Sequence, residues 1–531
     1  MLNRGGQQHK LESKASNFFF YFFLIFVFSY LTLIILKANF GVIDDHTLIN
    51  TLLQNKPIPF FIYIDSGRYY PLDAFDLNIL NYFFGVNPYA FYAFSAFGAL
   101  ILIICLFKAL NLILDSKNLS CILIILILTS PAFATAFLRL FVPEKFESVL
   151  FAIFIFFYIL YKKDASLFSF FMSFICGSLA LYYKEIAFIA LGSFAFFNFI
   201  FTLKNANKKS KKIDILLMLS AIFWLFLYFV IVVLNKTSST SYGDTPYNQY
   251  IVMIKNLFNY SLNDPFLFIG IFSLVFYRIY LVFFKKHKIH PLQDSALLAS
   301  FLHSLAYLKL NMWAFHYPLP AYIFGVFAIG FYFREYFRVL FIRLIFFLCL
   351  ALYILNQLPT FLHEFNHYKF VPINFNNTIN FLDAYLKQNP KSNIHLYGVN
   401  RASNGEVYAS FGKYLESRGN LEFDLKSNIT PDNSYLANPK EDSKYSVFKS
   451  MENIDPKEGD LIVLSPYTSI LVDYSILESY ELLYSSSIGF NMPLLNIKTL
   501  MKYFALKYSN NLVISKNLFY DKTDFAVYKV K

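Results

Sequence analysis

Apolar runs about long enough to cross a bilayer recur along the first two thirds of this chain, and that recurrence constrains the fold more than any motif does. A helix crossing the hydrocarbon needs about 20 predominantly apolar residues, with a range of roughly 17–25. Eleven stretches fit or approach this length: 18–36, 88–107, 119–137, 144–161, 165–183, 186–203, 213–234, 265–284, 295–310, 318–333 and 339–358, of which 295–310 is short. Backbone N–H and C=O groups find no water inside the hydrocarbon, so such runs have to be helices. Residues 359–531 return to ordinary polar content. The sequence therefore predicts an α-helical polytopic membrane protein, with a transmembrane domain over 1–358 and a soluble domain over 359–531.

Only 15% of the residues are charged, against roughly 25% in soluble proteins. The net charge of +12 would suit a nucleic-acid binder, but Lys and Arg fall largely in the short gaps between apolar runs, as membrane topology requires. The soluble part has no basic stripe with interleaved aromatics, which excludes nucleic acid as a partner. With the N-terminus inside, the alternate loops hold 17 Lys and Arg on the inner side and 7 on the outer side. The positive-inside rule then gives a cytoplasmic N-terminus, and eleven crossings put 359–531 on the periplasmic side of an inner membrane. The run 18–36 lacks a small-residue cleavage site and reads as a retained first helix. All four cysteines, Cys105, Cys121, Cys176 and Cys349, lie in predicted spans, so the soluble domain has neither a disulfide framework nor a cysteine-based zinc site.

The soluble domain reads as α/β. Helical spacing at 377–388 and 405–417 alternates with strand-like runs at 393–399, 461–465 and 525–530. No dinucleotide-binding glycine fingerprint accompanies them.

The first outer loop, 37–87, is the most informative stretch. It opens with Asp44-Asp45-His46, followed by an amphipathic run through Leu48, Ile49, Leu52 and Leu53 suited to the membrane surface. Asp65-Ser66-Gly67-Arg68-Tyr69-Tyr70-Pro71-Leu72-Asp73 comes next, then a second amphipathic run through Phe75, Ile79, Leu80 and Phe83. Two further clusters fall at outer turns: Pro143-Glu144-Lys145-Phe146-Glu147, whose two glutamates share a helix face, and Tyr182-Tyr183-Lys184-Glu185. Ionised groups this close to hydrocarbon are costly and usually face a polar cavity.

An acidic pair after the first span, a long first outer loop with two juxtamembrane helices, an outer Lys-Glu turn and a late soluble domain together resemble the GT-C superfamily of integral-membrane glycosyltransferases. That group includes the protein O-mannosyltransferases and the lipid A aminoarabinose transferase. The resemblance covers chiefly 18–203. It implies a polyprenyl-phosphate-linked sugar as donor and an envelope glycan, lipid or protein as acceptor, with inversion at the sugar carbon. The Asp-Asp here stands where the mannosyltransferases have Asp-Glu, so either Asp44 or Asp45 is the base. Arg68 and Lys184, with Lys145 as a further candidate, would hold the lipid phosphate, and Glu144 and Glu185 would orient acceptor or cations. The residue types suit the chemistry, since transfer needs a carboxylate to take the acceptor's proton and cations for the departing phosphate.

Plainer readings compete. Asp44 or Asp45 could cap the following helix, Arg68 could snorkel from a surface turn, and Lys184-Glu185 could be an interfacial anchor. His303 reads as satisfied by helix packing, and 313–317 as an aromatic belt. His363-Glu364-Phe365-Asn366-His367 matches the H-E-x-x-H zinc pattern, with Asp383, His395 and Glu406 as third-ligand candidates. No other cofactor is indicated, although a divalent cation at Asp44/Asp45 stays open as a weak site. A lipid-linked glycan polymerase or ligase, a non-catalytic envelope scaffold and a transporter are the alternative classes. Against a transporter, the predicted spans are nearly free of mid-span charge.

Overall fold

The computed structural model describes residues 4–203, 208–238, 248–310, 313–390, 392–397, 404–420, 423–427, 456–468, 474–490, 493–509, 518 and 523–531. The chain is mostly helical, and each of the eleven apolar stretches is helical over most of its length. Among the described residues, five helical runs are long and apolar enough to cross a membrane: Asn17–Ile35, Pro88–Leu114, Lys211–Asn235, Phe266–Phe283 and Leu340–Gln388. A sixth is reached if the pair Lys117–Leu128 and Pro131–Phe137 counts as one span. By this measure the chain is a multi-pass membrane protein.

Two departures from the sequence reading have physical causes. The stretch 119–137 is broken by a 65° bend. Ser130 adopts an extended conformation there, its hydroxyl accepts from Phe133 N at 3.1 Å, and Pro131 opens the next helix, a standard N-terminal cap. The stretch 339–358 does not end at 358. Helix continues through a π-helical turn at Tyr353–Gln357 into Leu358–Gln388. The helix expected at 377–388 is the far end of this run, and 358 marks no break in the backbone.

The helices pack through aromatic and aliphatic side chains, and glycine sets one close crossing. A Cβ on Gly330 would lie 2.6 Å from Leu123 Cδ1 and 2.9 Å from Leu114 Cδ1. Both leucines are buried, so they have little room to retreat. Gly330→Ala should therefore destabilise the chain by about 1–3 kcal/mol, read as a fall in apparent Tm in detergent without loss of helical circular dichroism.

The C-terminal part carries a mixed five-stranded sheet in the order Asp424–Ser427, Asn393–Leu396, Leu461–Leu464, Phe525–Lys529, Glu481–Ser486. The first three strands run parallel and the last two pair antiparallel. Three of the strands and the helix Asn404–Glu416 match the sequence reading, while 398–399, the end of one expected strand, lies outside the described residues. The helix Asn404–Glu416 packs on the short helix Asp45–Leu53: Tyr414 donates to the Gly41 carbonyl at 3.2 Å, and Ser410 Oγ lies 2.8 Å from His46 Nδ1. The sheet domain is thereby docked over the acidic pair.

Candidate functional site

The loop 37–87 forms the two helices its pattern predicts, Asp45–Leu53 and Phe75–Phe84, and between them a hairpin of Phe61–Tyr63 and Arg68–Tyr70 that the pattern did not foretell. Gly67 makes the hairpin turn at φ 72°, a conformation that costs glycine little. The hairpin is tied to the 182–185 turn through Leu72 N, which donates to the Tyr182 carbonyl at 3.1 Å.

Two groups of charged side chains form on this base. In the first, Arg68 Nε donates to Glu185 Oε1 at 2.6 Å, and Tyr69 N donates to the same oxygen at 3.1 Å. The Arg68 guanidinium stacks 4.6 Å from the Tyr70 ring centre. Lys184 Nζ lies 3.1 Å from Glu144 Oε1 and between the rings of Tyr317 and Tyr70, at 5.4 and 5.9 Å. Tyr307 also donates to Glu144 Oε1, at 3.1 Å, and His316 Nε2 stands 3.9 Å from Glu144 Oε2. Asp73 is buried beside Lys184 and Glu144, and burial drives its carboxyl well above the usual range.

The second group centres on the acidic pair. Asp44 occupies the N-cap position of Asp45–Leu53 but makes no capping hydrogen bond. It forms an ion pair with Arg139 instead. Its backbone sits at φ 67°, ψ −49°, strain of about 1–3 kcal/mol of the sort that clusters at functional sites. Asp45 is buried, and its Oδ2 accepts from Gly41 N at 2.7 Å. Burial outweighs that bond and the Arg139 charge, so the Asp45 carboxyl is pushed up to about 6. A Cβ on Gly41 would lie 3.0 Å from Asp45 Oδ2, so a side chain there would crowd the carboxylate. His46 is held neutral, its pKa lowered to about 4 by burial and by Lys413.

Asp45 and Arg139 line a cavity of about 100 Å³ with Tyr92, His367, Tyr368 and Tyr467. It has room for a few waters, so a sugar enters only if the covering side chains part. The Arg139 guanidinium stands 5.3 Å over the Tyr368 ring.

The structure thus joins Arg68 to Glu185, Lys184 to Glu144 and Asp44 to Arg139, and among the described residues the bonds of the acidic pair run to Arg139 and Gly41. The two groups are neighbours electrostatically. Lys145 feels Asp45, Asp73 and Asp76, and His316 feels both Arg139 and Lys184. Lys145 is buried and donates to Ser95 Oγ, Arg139 O and Leu140 O at 3.0–3.1 Å. These bonds use all three donors of an ammonium and brace the loop that presents Arg139.

Sequence reasoning missed several of these groups. Arg139 was legible only as an outer-loop charge; its signal is its position between a buried helix end and Pro143-Glu144. His316 belongs to the Glu144 cluster and not merely to an aromatic belt. His303 is not satisfied by helix packing: among the described residues neither ring nitrogen is hydrogen-bonded, and its Nε2 lies 3.8 Å from Glu147 Oε1.

In the H-E-x-x-H segment the rings of His363 and His367 are 6.5 Å apart between centres. His367 lines the Asp45 cavity, and Glu364 lies in the field of Arg139. Among the described residues no three His, Cys, Asp or Glu side chains gather closely enough to hold a metal ion. Of the third-ligand candidates, Asp383 is bonded to Lys387 and Asn420, and His395 to Asp460.

No protein-family model and no curated protein matches the chain. Among solved structures it is similar to ArnT from Cupriavidus metallidurans bound to undecaprenyl phosphate, with 11% identity and a TM-score of 0.43 over 87% of this chain and 95% of that one. It is also similar to the oligosaccharyltransferase AglB from Archaeoglobus fulgidus in complex with an inhibitory peptide and a dolichol-phosphate, with 12% identity and a TM-score of 0.43 over 88% of this chain and 74% of that one. At this identity and TM-score no residue role is carried across from either structure.

Proposed function

We propose that the chain is a membrane glycosyltransferase that moves a sugar from a polyprenyl phosphate to an envelope glycan, lipid or protein. Eleven crossings with a cytoplasmic N-terminus would set the cluster and the sheet domain on the periplasmic side. The observation that carries the reading is that two charged groups, Arg68–Glu185 with Lys184–Glu144 and Asp44–Arg139 beside the buried Asp45, stand close enough for Lys145 and His316 to feel charges of both. A scaffold has no need to bring so much charge out of water, since such groups are costly unless used or fully paired.

In this reading Arg68 and Lys184 receive the donor phosphate, where two cations stabilise the charge that develops on departure of the sugar. Glu185 and Glu144 hold them in place until the phosphate arrives. Asp45 takes the acceptor's proton, because a base is most effective when its pKa is near the working pH. Asp44 fixes Arg139 at the mouth of the cavity. The proton passes from the acceptor heteroatom to Asp45 as that atom bonds the sugar carbon and the C–O bond to phosphate breaks.

The direct test incubates the purified full chain with a polyprenyl-phosphate-linked sugar and follows release of polyprenyl phosphate. Arg68→Ala should raise the KM for donor by about 10- to 100-fold, the scale of a lost charge-assisted hydrogen bond, and leave the acceptor KM nearly unchanged. Equal KM values in wild type and variant would remove Arg68 from the donor site.

Asp45 also sets a pH dependence. Its carboxyl titrates at about 6 in the fold and at about 3.9 when unfolded. The base works only when deprotonated, so kcat/KM should fall about tenfold per pH unit below 6. The folded state binds the extra proton between those two values, so the Asp45 contribution to stability increases as pH falls from 6 to 4. Opposite trends in activity and in this stability component, both abolished in Asp45→Asn, would identify Asp45; an unchanged activity profile in the variant would discard it.

A further inference from the structure

Away from this cluster, three buried oxygens have no hydrogen-bond donor among the described residues: Asp264 Oδ2, Asn356 Oδ1 and Gln357 Oε1. The side chains that carry them are neighbours where the helix Gln249–Asn263 turns into the π-helical turn Phe266–Ile271 and packs against the second π-helical turn, Tyr353–Gln357. Tyr322 donates to Asp264 Oδ1 at 2.8 Å, and Gln357 Nε2 approaches the same hydroxyl at 3.4 Å. Asn356 Nδ2 bonds the Leu262 carbonyl at 3.0 Å and Asn263 Oδ1 at 3.2 Å. Asp264, Tyr322, Asn356 and Gln357 are all fully buried. Both Asn356 N–H groups and one of Gln357 are thus engaged, and what these neighbouring side chains leave unbonded is a carboxylate oxygen and two amide oxygens.

Three features select the occupant. Burial pushes the Asp264 carboxyl up to about 7, and among the described residues only the Tyr322 hydroxyl bonds its side chain, so its ionised form needs a counter-charge. All three unsatisfied atoms are acceptors; a water could donate to two of them, whereas a cation accepts all three. Turning the Gln357 amide so that it donates to Asp264 would bond the carboxylate but leave its charge unbalanced. The donor set is oxygen only, which suits hard cations. It carries a single negative charge, so a monovalent ion is neutralised where a divalent ion would leave net positive charge in a fully enclosed place. π-helical turns, which widen the local backbone and mark functional sites, flank the corner on both sides.

We propose that Asp264, Asn356 and Gln357 form a site for an alkali-metal cation, Na⁺ or K⁺. Bound there, the cation pins the helix Gln249–Asn263 to the base of the helix Leu358–Gln388, which carries His367 and Tyr368 to the Asp45 cavity. The proposal stands apart from the transfer reading and does not depend on it.

Thermal unfolding of the full chain in detergent tests it, with NaCl or KCl replacing N-methyl-D-glucamine chloride at constant ionic strength. A saturable rise of roughly 3–8 °C in apparent Tm is expected for at least one ion, with no rise in Asp264→Asn. Gln357→Met keeps the carboxylate and removes one ligand, so it provides a check if Asp264→Asn does not fold; its half-saturating concentration should increase several-fold. A wild-type curve flat in both ions, a rise with Ca²⁺ alone, or an undiminished rise in Asp264→Asn or Gln357→Met would overturn the proposal.

Discussion

Changing Asp44 and Asp45 together to asparagine should lower sugar transfer by at least about 100-fold, and by up to about 10⁴-fold, the range of a lost general base, while the protein still inserts and elutes as a single species in detergent. The fold should tolerate the change for a local reason. The bond that places Asp45 comes from Gly41 N, and an asparagine side-chain carbonyl accepts it equally well. Asp44 and Arg139 are 29% and 20% exposed along their side chains, so the broken pair is screened and destabilises little. The single variants divide the effect. Asp45→Asn should show most of the loss in kcat, whereas Asp44→Asn should act through Arg139 and change KM more than kcat. Full activity in the double variant would remove both residues from the chemistry.

The second large effect is on stability. Lys184→Met leaves the fully buried Glu144 carboxylate without its cation, with the Tyr307 hydroxyl at 3.1 Å, a backbone N–H and the distant His316 ring as its remaining partners. Breaking a buried pair from one side costs about 3–5 kcal/mol, which should appear as a marked fall in apparent Tm and in yield of folded protein. Adding Glu144→Gln should return most of that loss, because a neutral amide in Glu144's place needs no counter-charge and still accepts from Tyr307. If Lys184 were a surface anchor, its single variant would shift stability by less than about 1 kcal/mol and the second change would rescue nothing. Neither Lys184→Met nor the double variant should retain normal donor binding, so stability and activity separate in this pair.

Much of this arrangement was legible in the sequence because charge stands out against an apolar background. Asp44, Asp45, Arg68, Glu144, Lys184 and Glu185 sit next to runs that exclude ionised groups, and each of them ends in one or other of the two charged groups. The two amphipathic runs in 37–87 became helices because their apolar residues return once per turn. Pairing was not legible. Arg68 meets Glu185 across 117 positions and Asp44 meets Arg139 across 95, and nothing local to either residue encodes its partner. Arg139 itself resembled a topological charge, since a lone arginine between two apolar runs fits orientation as well as chemistry.

The long helix through 358 was read as two elements because hydropathy changes there while helix-forming backbone does not. The sheet's weaker strands escaped for another reason. Asp424–Ser427 holds a single apolar residue, Leu425, and Glu481–Ser486 carries a register shift at Leu482/Tyr484, which erases the alternation that marks a strand.

Locating polyprenyl phosphate on the full-length protein would test the central claim most directly, for example by cryo-electron microscopy of the complex. The phosphorus should lie within about 4 Å of both the Arg68 guanidinium and the Lys184 ammonium, on the same face of the membrane as Asp45. Density for the phosphate at another site, with the Arg68–Glu185 and Lys184–Glu144 pairs undisturbed, would contradict the account.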